Sequence, residues 1–188
     1  LQNAIEAAIL SCLAGIPGEL HERPWRDFAH NRNESLELAR TKGDYLLFID
    51  ADEMLRAPEG FAWPALVQDA YYLHAEYGGT IYNRGALVAT RREWRWRGVI
   101  HEYLAAIPPV QFTQLEWPRI VVSHDGARAR DPQTYARDVP ILERALASET
   151  DPFLIARYTF YLAQTYRDCG EKAKAVDAYL RRAGLGHW

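Results

Sequence analysis

Asp50 and Asp52 stand one residue apart at the end of an apolar run, Tyr45-Leu46-Leu47-Phe48-Ile49, with Glu53 just beyond them. In a parallel α/β sheet, ligands bind outside the carboxyl ends of the strands. An Asp-x-Asp there places negative charge where a divalent cation and a phosphorylated ligand can meet, because hard cations share carboxylate oxygens with substrate phosphates. The pair also suits a turn whose aspartates cap a following helix. Glu53 is read as bracing this loop or capping the next segment.

Other residues could join such a site. Arg32-Asn33 is read as the start of a helix, where free N–H groups and the macrodipole favour anions and an arginine can grip phosphate in bidentate fashion. Arg32 could instead pair with Glu37 along a solvated helix face. Asp27 and His30 are neighbours of the same pocket or loop scaffolding. Trp94 and Trp96 are rings that either stack on a ligand or anchor a core. His101-Glu102 follows Trp96-Arg97-Gly98-Val99-Ile100, and His124 follows a strand-like run. Neutral imidazole suits Mn²⁺. His21, His74 and His187 lack such context and are read as structural. Gly-rich phosphate loops, G-x-S-x-G and H-E-x-x-H are absent, since Tyr103-Leu104-Ala105 follows Glu102.

Taken in order, the segments around Arg32-Asn33, Gly43-Asp44 through Asp50-Ala51-Asp52-Glu53, and Trp96-x-Gly98-x-x-His101-Glu102, followed by a helical tail, resemble the inverting glycosyltransferases of family 2. The resemblance runs from about Gly18 to the C-terminus. It implies a GT-A fold: an α/β mixed sheet flanked by helices, here with a C-terminal helical hairpin of tetratricopeptide-like spacing. Its implied boundaries are residues 1–130 for the transferase domain and 131–188 for the helical region. It implies transfer of a sugar, with inversion, from a nucleotide-sugar donor, foremost a UDP-sugar, to a glycan, lipid-linked or protein acceptor. Asp50 would lie near the donor ribose. Asp52, with Asp50 and His124, would hold Mn²⁺ or Mg²⁺. Arg32, Asn33 and His101 would face the donor, and Glu102 would be the base that takes the acceptor proton. The family's first strand, its nucleobase-reading loop and its D-x-G-S-x-D-G-T-like segment are not in this chain, so about 40–60 residues are expected upstream. Two rivals remain: a metal-dependent nucleotidyltransferase, and a non-catalytic protein-binding module built on the helical tail.

The elements that must position these residues follow from hydrophobic period and punctuation. Helices are expected over 1–14, 30–42, 133–147 with a kink at Pro140, 155–168 and 172–183. Strands are expected over 45–49, 70–77, 80–90, 110–117 and 119–123, with a hairpin turn at Gly78-Gly79. Residues 18–23 read as extended, and the early order of helix, strand, helix, strand suggests a parallel layer. A short helix is expected over 59–68, broken at Pro64. The 188 residues suit one principal domain with an appendage. Apolar residues make up 48 %, enough for a sizeable core. A net charge of −3 gives no basic footprint for nucleic acid. No apolar run reaches the roughly 18–20 residues of a membrane span, and no signal peptide is evident. Cys12 and Cys169 lie far apart, so neither a zinc site nor a disulfide framework is indicated. The expectation is buried thiols in a reducing cytoplasm, with the protein either free or peripheral to the inner face of the membrane.

Overall fold

The structure, a computed structural model, describes residues 2–123 and 130–186. Its elements run α1 (Gln2–Cys12), α2 (Phe28–Ala39), β1 (Tyr45–Leu47), β2 (Glu53–Arg56), β3 (Ala70–Tyr77), β4 (Thr80–Ala89), β5 (Glu93–Arg97), β6 (Tyr103–Ile107), β7 (Thr113–Gln114), β8 (Arg119–Val122), α3 (Thr134–Ser148), α4 (Pro152–Asp168) and α5 (Lys172–Ala183). Six strands form a mixed sheet in the order β1-β4-β3-β8-β2, with β7 also pairing β3, and β5-β6 form a separate ribbon.

The β3–β4 hairpin is the backbone of the sheet. Gly78 (φ 53°) and Gly79 (φ 85°) both adopt the left-handed conformation that a two-residue turn between twisted strands requires, and Tyr77 pairs directly with Thr80. Leu73, Ala75, Ala86 and Ile120 are sealed from solvent on the sheet. On the side nearer α2, Leu36, Leu46, Ala70, Val88, Trp94 and Trp96 form a second cluster. That cluster joins helix, sheet and ribbon, and it settles the tryptophans as core anchors: the Trp94 Nε1–H donates to the Ala89 carbonyl at 2.8 Å.

Several expectations give way. β1 is antiparallel to its neighbour β4, and residues 18–23 form no strand, so the early parallel layer is not there. The parallel contacts are instead β3 with β7 and β8. Residues 59–68 are not helical; Pro58 and Pro64 bracket a segment too short to bridge them with a helix. The strand expected over 110–117 shrinks to Thr113–Gln114. The β5–β6 ribbon and β2 were not anticipated. α3 runs through Pro140 without interruption. Cys12 and Cys169 are exposed rather than buried: Cys12 ends α1, whose residues from Glu6 to Cys12 are all exposed, and Cys169 is the C-cap of α4. Partial desolvation of its sulfur and nearby acids push the Cys169 thiol up.

The helical tail is not a detached appendage. Leu142, Leu154, Tyr158, Leu162, Tyr166 and Ala175 close around Ile100, with Val99 and Tyr103 packed alongside. The loop between β5 and β6 is thus a plug inserted into the tail's core. Among the described residues no helix is long and apolar enough to cross a membrane.

Candidate functional site

The site begins with α2. Asp27 is its N-cap, accepting from the His30 N–H at 2.8 Å, so the helix starts at Phe28. Arg32 and Asn33 therefore lie in its second turn, beyond the free N–H groups of the helix end, and Arg32 must act through its side chain. Asp27 is scaffolding in this arrangement, and His30 lies 3.7 Å from Glu34 on the same helix.

That side chain reaches two carboxylates. Arg32 Nη2 donates to Asp50 Oδ1 at 2.7 Å and Oδ2 at 2.9 Å, and Nε donates to Glu102 Oε1 at 2.6 Å. The guanidinium also lies 4.8 Å from the Trp96 ring centroid. Glu37 takes Arg40 instead, so the helix-surface pairing is not formed. Burial alone would lower the Arg32 pKa. The charges of Asp50 and Glu102 outweigh it and hold the guanidinium above its ordinary value.

Asp50 sits in a turn closed by the Glu53 N–H donating to its carbonyl at 3.0 Å. Glu53, its side chain only 4 % exposed, accepts the Asp50 N–H at 2.8 Å through Oε2 and pairs with Arg84 through Oε1. It braces the loop, as its position suggested. Arg84 Nη2 also lies 3.3 Å from Asp50 Oδ2. Asp50 is thus held between two arginines. Asp52 is half-buried, and its carboxylate has no ion pair or hydrogen bond among the described residues. Its carbonyl accepts the Ser123 N–H at 3.0 Å. His124, expected as a metal ligand, lies outside the described residues.

Glu102 is delivered by the β5–β6 loop. Gly98 (φ 106°) turns the chain, and His101 (φ 53°) holds a left-handed conformation unusual for a side-chain-bearing residue. Asn33 ties the ribbon to α2: its Nδ2 donates to the Trp96 carbonyl at 2.9 Å and its Oδ1 accepts the Trp96 N–H at 2.8 Å. Its amide is therefore occupied by backbone rather than turned to a ligand.

Arg32, Asp50, Glu53, Arg84, His101 and Glu102 border one open cleft of about 820 Å³, with Tyr82, Trp96, Arg157 and Tyr161 among its other walls. Arg84, Arg157 and Tyr161 escaped sequence reasoning. Arg84 carries one faint signal, the single charge in β4. Fixed opposite charges in a half-buried cleft can bind an anionic ligand through the arginines and accept a proton or a cation through the carboxylates. As a metal seat, the described residues offer Asp52 and Asp50 on one turn. No cluster of three His, Cys, Asp or Glu side chains is placed to hold an ion among the described residues. One or two carboxylates completed by ligand phosphates is a usual Mg²⁺ arrangement; Asp52 has an uncommitted carboxylate among the described residues but does not border the cleft, and both Asp50 oxygens are taken by arginines. Neither the protein-family models nor the curated proteins contain a match to this chain.

Proposed function

We propose that the chain carries the catalytic centre of an inverting, GT-A-type glycosyltransferase that takes a nucleotide-sugar donor. The observation that carries this reading is the Arg32 bridge, which draws the acidic turn at Asp50 and the distant Glu102 into one cleft. Arg32 and Arg84, each paired with carboxylates, are two cations of the cleft that could turn to a diphosphate. Glu102 takes the proton of the acceptor hydroxyl as its oxygen attacks the anomeric carbon. The bond from that carbon to the diphosphate oxygen breaks on the opposite face, and the nucleotide leaves with the electron pair. Asp52, with Asp50 beside it, would hold a divalent cation, which when bound offsets charge on the departing diphosphate. Asn33 supports this by fixing α2 to β5.

Glu102 Oε1 is committed to Arg32, while Oε2 has no hydrogen-bond partner among the described residues. A base needs one such oxygen directed at the acceptor. The test is a melting experiment with Mn²⁺ and UDP. A ligand that binds only the native state stabilises it by about 2.7 kcal/mol at a hundredfold excess over Kd. Glu102→Gln should keep that shift and lose sugar transfer, whereas Asp52→Asn should lose the metal-dependent part of the shift. Absence of a shift with any nucleotide, or an undiminished one in Asp52→Asn, overturns the assignment. Pyrophosphate release from a nucleoside triphosphate, without sugar release from a UDP-sugar, would mark a nucleotidyltransferase instead.

A further inference from the structure

His101 is gripped at two points by one helix. Arg157 of α4 donates to its carbonyl from Nε at 3.0 Å and from Nη2 at 2.6 Å. One helical turn on, Tyr161 stacks on its imidazole, with ring centroids 3.8 Å apart and planes 12° from parallel. Arg157 is itself fixed over the rings of Tyr103 and Tyr161, 5.1 Å from each centroid. Residues four apart on a helix share a face, so α4 presents a forked cation and an aromatic plate as a unit. The held residue has φ 53°, a conformation with an intrinsic cost for a residue bearing a Cβ. It directly precedes Glu102, whose carboxylate meets Arg32 at 2.6 Å.

We infer that Arg157 and Tyr161 are positioning residues for Glu102: the helical tail clamps His101 by its carbonyl and its ring, and thereby aims the neighbouring carboxylate into the cleft. The functional consequence rests on the reading of Glu102 as the base, while the clamp itself does not. The planar fork brings two converging donors to one carbonyl oxygen, which a lysine cannot reproduce. Tyr161 acts on His101 through its ring face. Below the clamp, the Tyr158 hydroxyl accepts the Val99 N–H at 3.1 Å and anchors the start of the same loop. The tail is therefore part of the catalytic framework and not a separable partner-binding module.

The experiment compares Arg157→Ala, Arg157→Lys, Tyr161→Leu and Tyr161→Phe with the unaltered protein. Hydrogen exchange over residues 99–103 and carbodiimide labelling of Glu102 read the loop directly. Release of the clamp should raise both by about tenfold in Arg157→Ala, the loss of a charge-assisted pair of hydrogen bonds. Tyr161→Leu should move the same way, and Tyr161→Phe, which keeps the stacked ring, should move less. Arg157→Lys should fall between. Exchange in α5 reports that the fold is kept, and where Arg157→Ala fails that control, Arg157→Lys and Tyr161→Leu decide. Sugar turnover should show kcat lowered by about ten- to a hundredfold, since misplacement near 1 Å has that effect, with the donor KM and the shift given by UDP and Mn²⁺ unchanged. Unaltered exchange and labelling in both Arg157→Ala and Tyr161→Leu would overturn the clamp. If the unaltered protein instead shows no nucleotide-dependent shift, the enzyme reading falls while exchange and labelling still decide the clamp.

Discussion

Asn33 and Trp96, 63 residues apart, form a closed pair in which one side-chain amide satisfies both the N–H and the carbonyl of one backbone unit. This contact sets the height of the β5–β6 ribbon against α2. It also places the Trp96 ring where the adjacent Arg32 crosses it. Asn33→Ala is expected to cost about 2 kcal/mol, two hydrogen bonds of about 1 kcal/mol each. Asn33→Asp should be no better, because a carboxylate cannot donate to the Trp96 carbonyl. Denaturant melts of the two variants check this.

Arg84 neutralises the nearly sealed Glu53. Removing one partner of such a pair leaves a charge with poor solvation, at a cost of about 3 kcal/mol. Arg84→Ala is therefore expected to destabilise the protein strongly. Glu53→Gln with Arg84→Gln should recover most of the loss, since neither position then carries charge. A double-mutant cycle by chemical denaturation measures both effects. Independent, additive losses would mean that the pair is not coupled.

Gly98 has a backbone that residues with a Cβ rarely adopt, and a Cβ there would lie 3.3 Å from the Glu102 Cα. Gly98→Ala is expected to cost about 1–3 kcal/mol in strain and to displace Glu102. Its signature is faster carbodiimide labelling of Glu102 alongside a lower melting temperature. A lower melting temperature with unchanged labelling would show that the loop absorbs the strain elsewhere.

Asp151 caps α4 by accepting from the Phe153 N–H at 2.8 Å, and it pairs with Arg97 at 2.5 Å. The hydrogen bond from Arg97, followed by those from the cap, holds its carboxyl below the ordinary value of 3.8. The unfolded chain binds the proton more readily, so this pairing stabilises the protein above pH about 4 and loses its contribution as pH falls through the lowered folded pKa. Asp151→Asn should keep the cap, lose the Arg97 ion pair and flatten the fall of stability below pH about 4. Melting curves across that range test it. An unchanged slope would assign the acid sensitivity to other carboxylates.

Local punctuation made much of this fold legible. Gly78-Gly79 announced the central hairpin, Gly170 the turn between α4 and α5, and the apolar run from Tyr45 the strand that leads to the acidic turn. Candidate residues Arg32, Asp50, His101 and Glu102 do share one cleft. What escaped was non-local. Arg84 reaches Asp50 across 34 residues and Arg157 reaches His101 across 56, and no periodicity encodes such meetings. The β5–β6 ribbon was hidden because Trp94 and Trp96 were weighed as possible ligand contacts, although their alternation with Arg95 and Arg97 is that of a half-buried strand. Asp27 caps a helix that starts two residues before the expected 30, which moves Arg32 and Asn33 about half a turn further into it.

The indole of Trp96 lies beneath the Arg32 guanidinium and meets Phe48 edge-on at 5.2 Å. Any anion that draws Arg32 away also removes a positive charge from the face of a sheltered fluorophore. With the other five tryptophans replaced, Trp96 emission would report that movement of Arg32 without a label or a coupled assay.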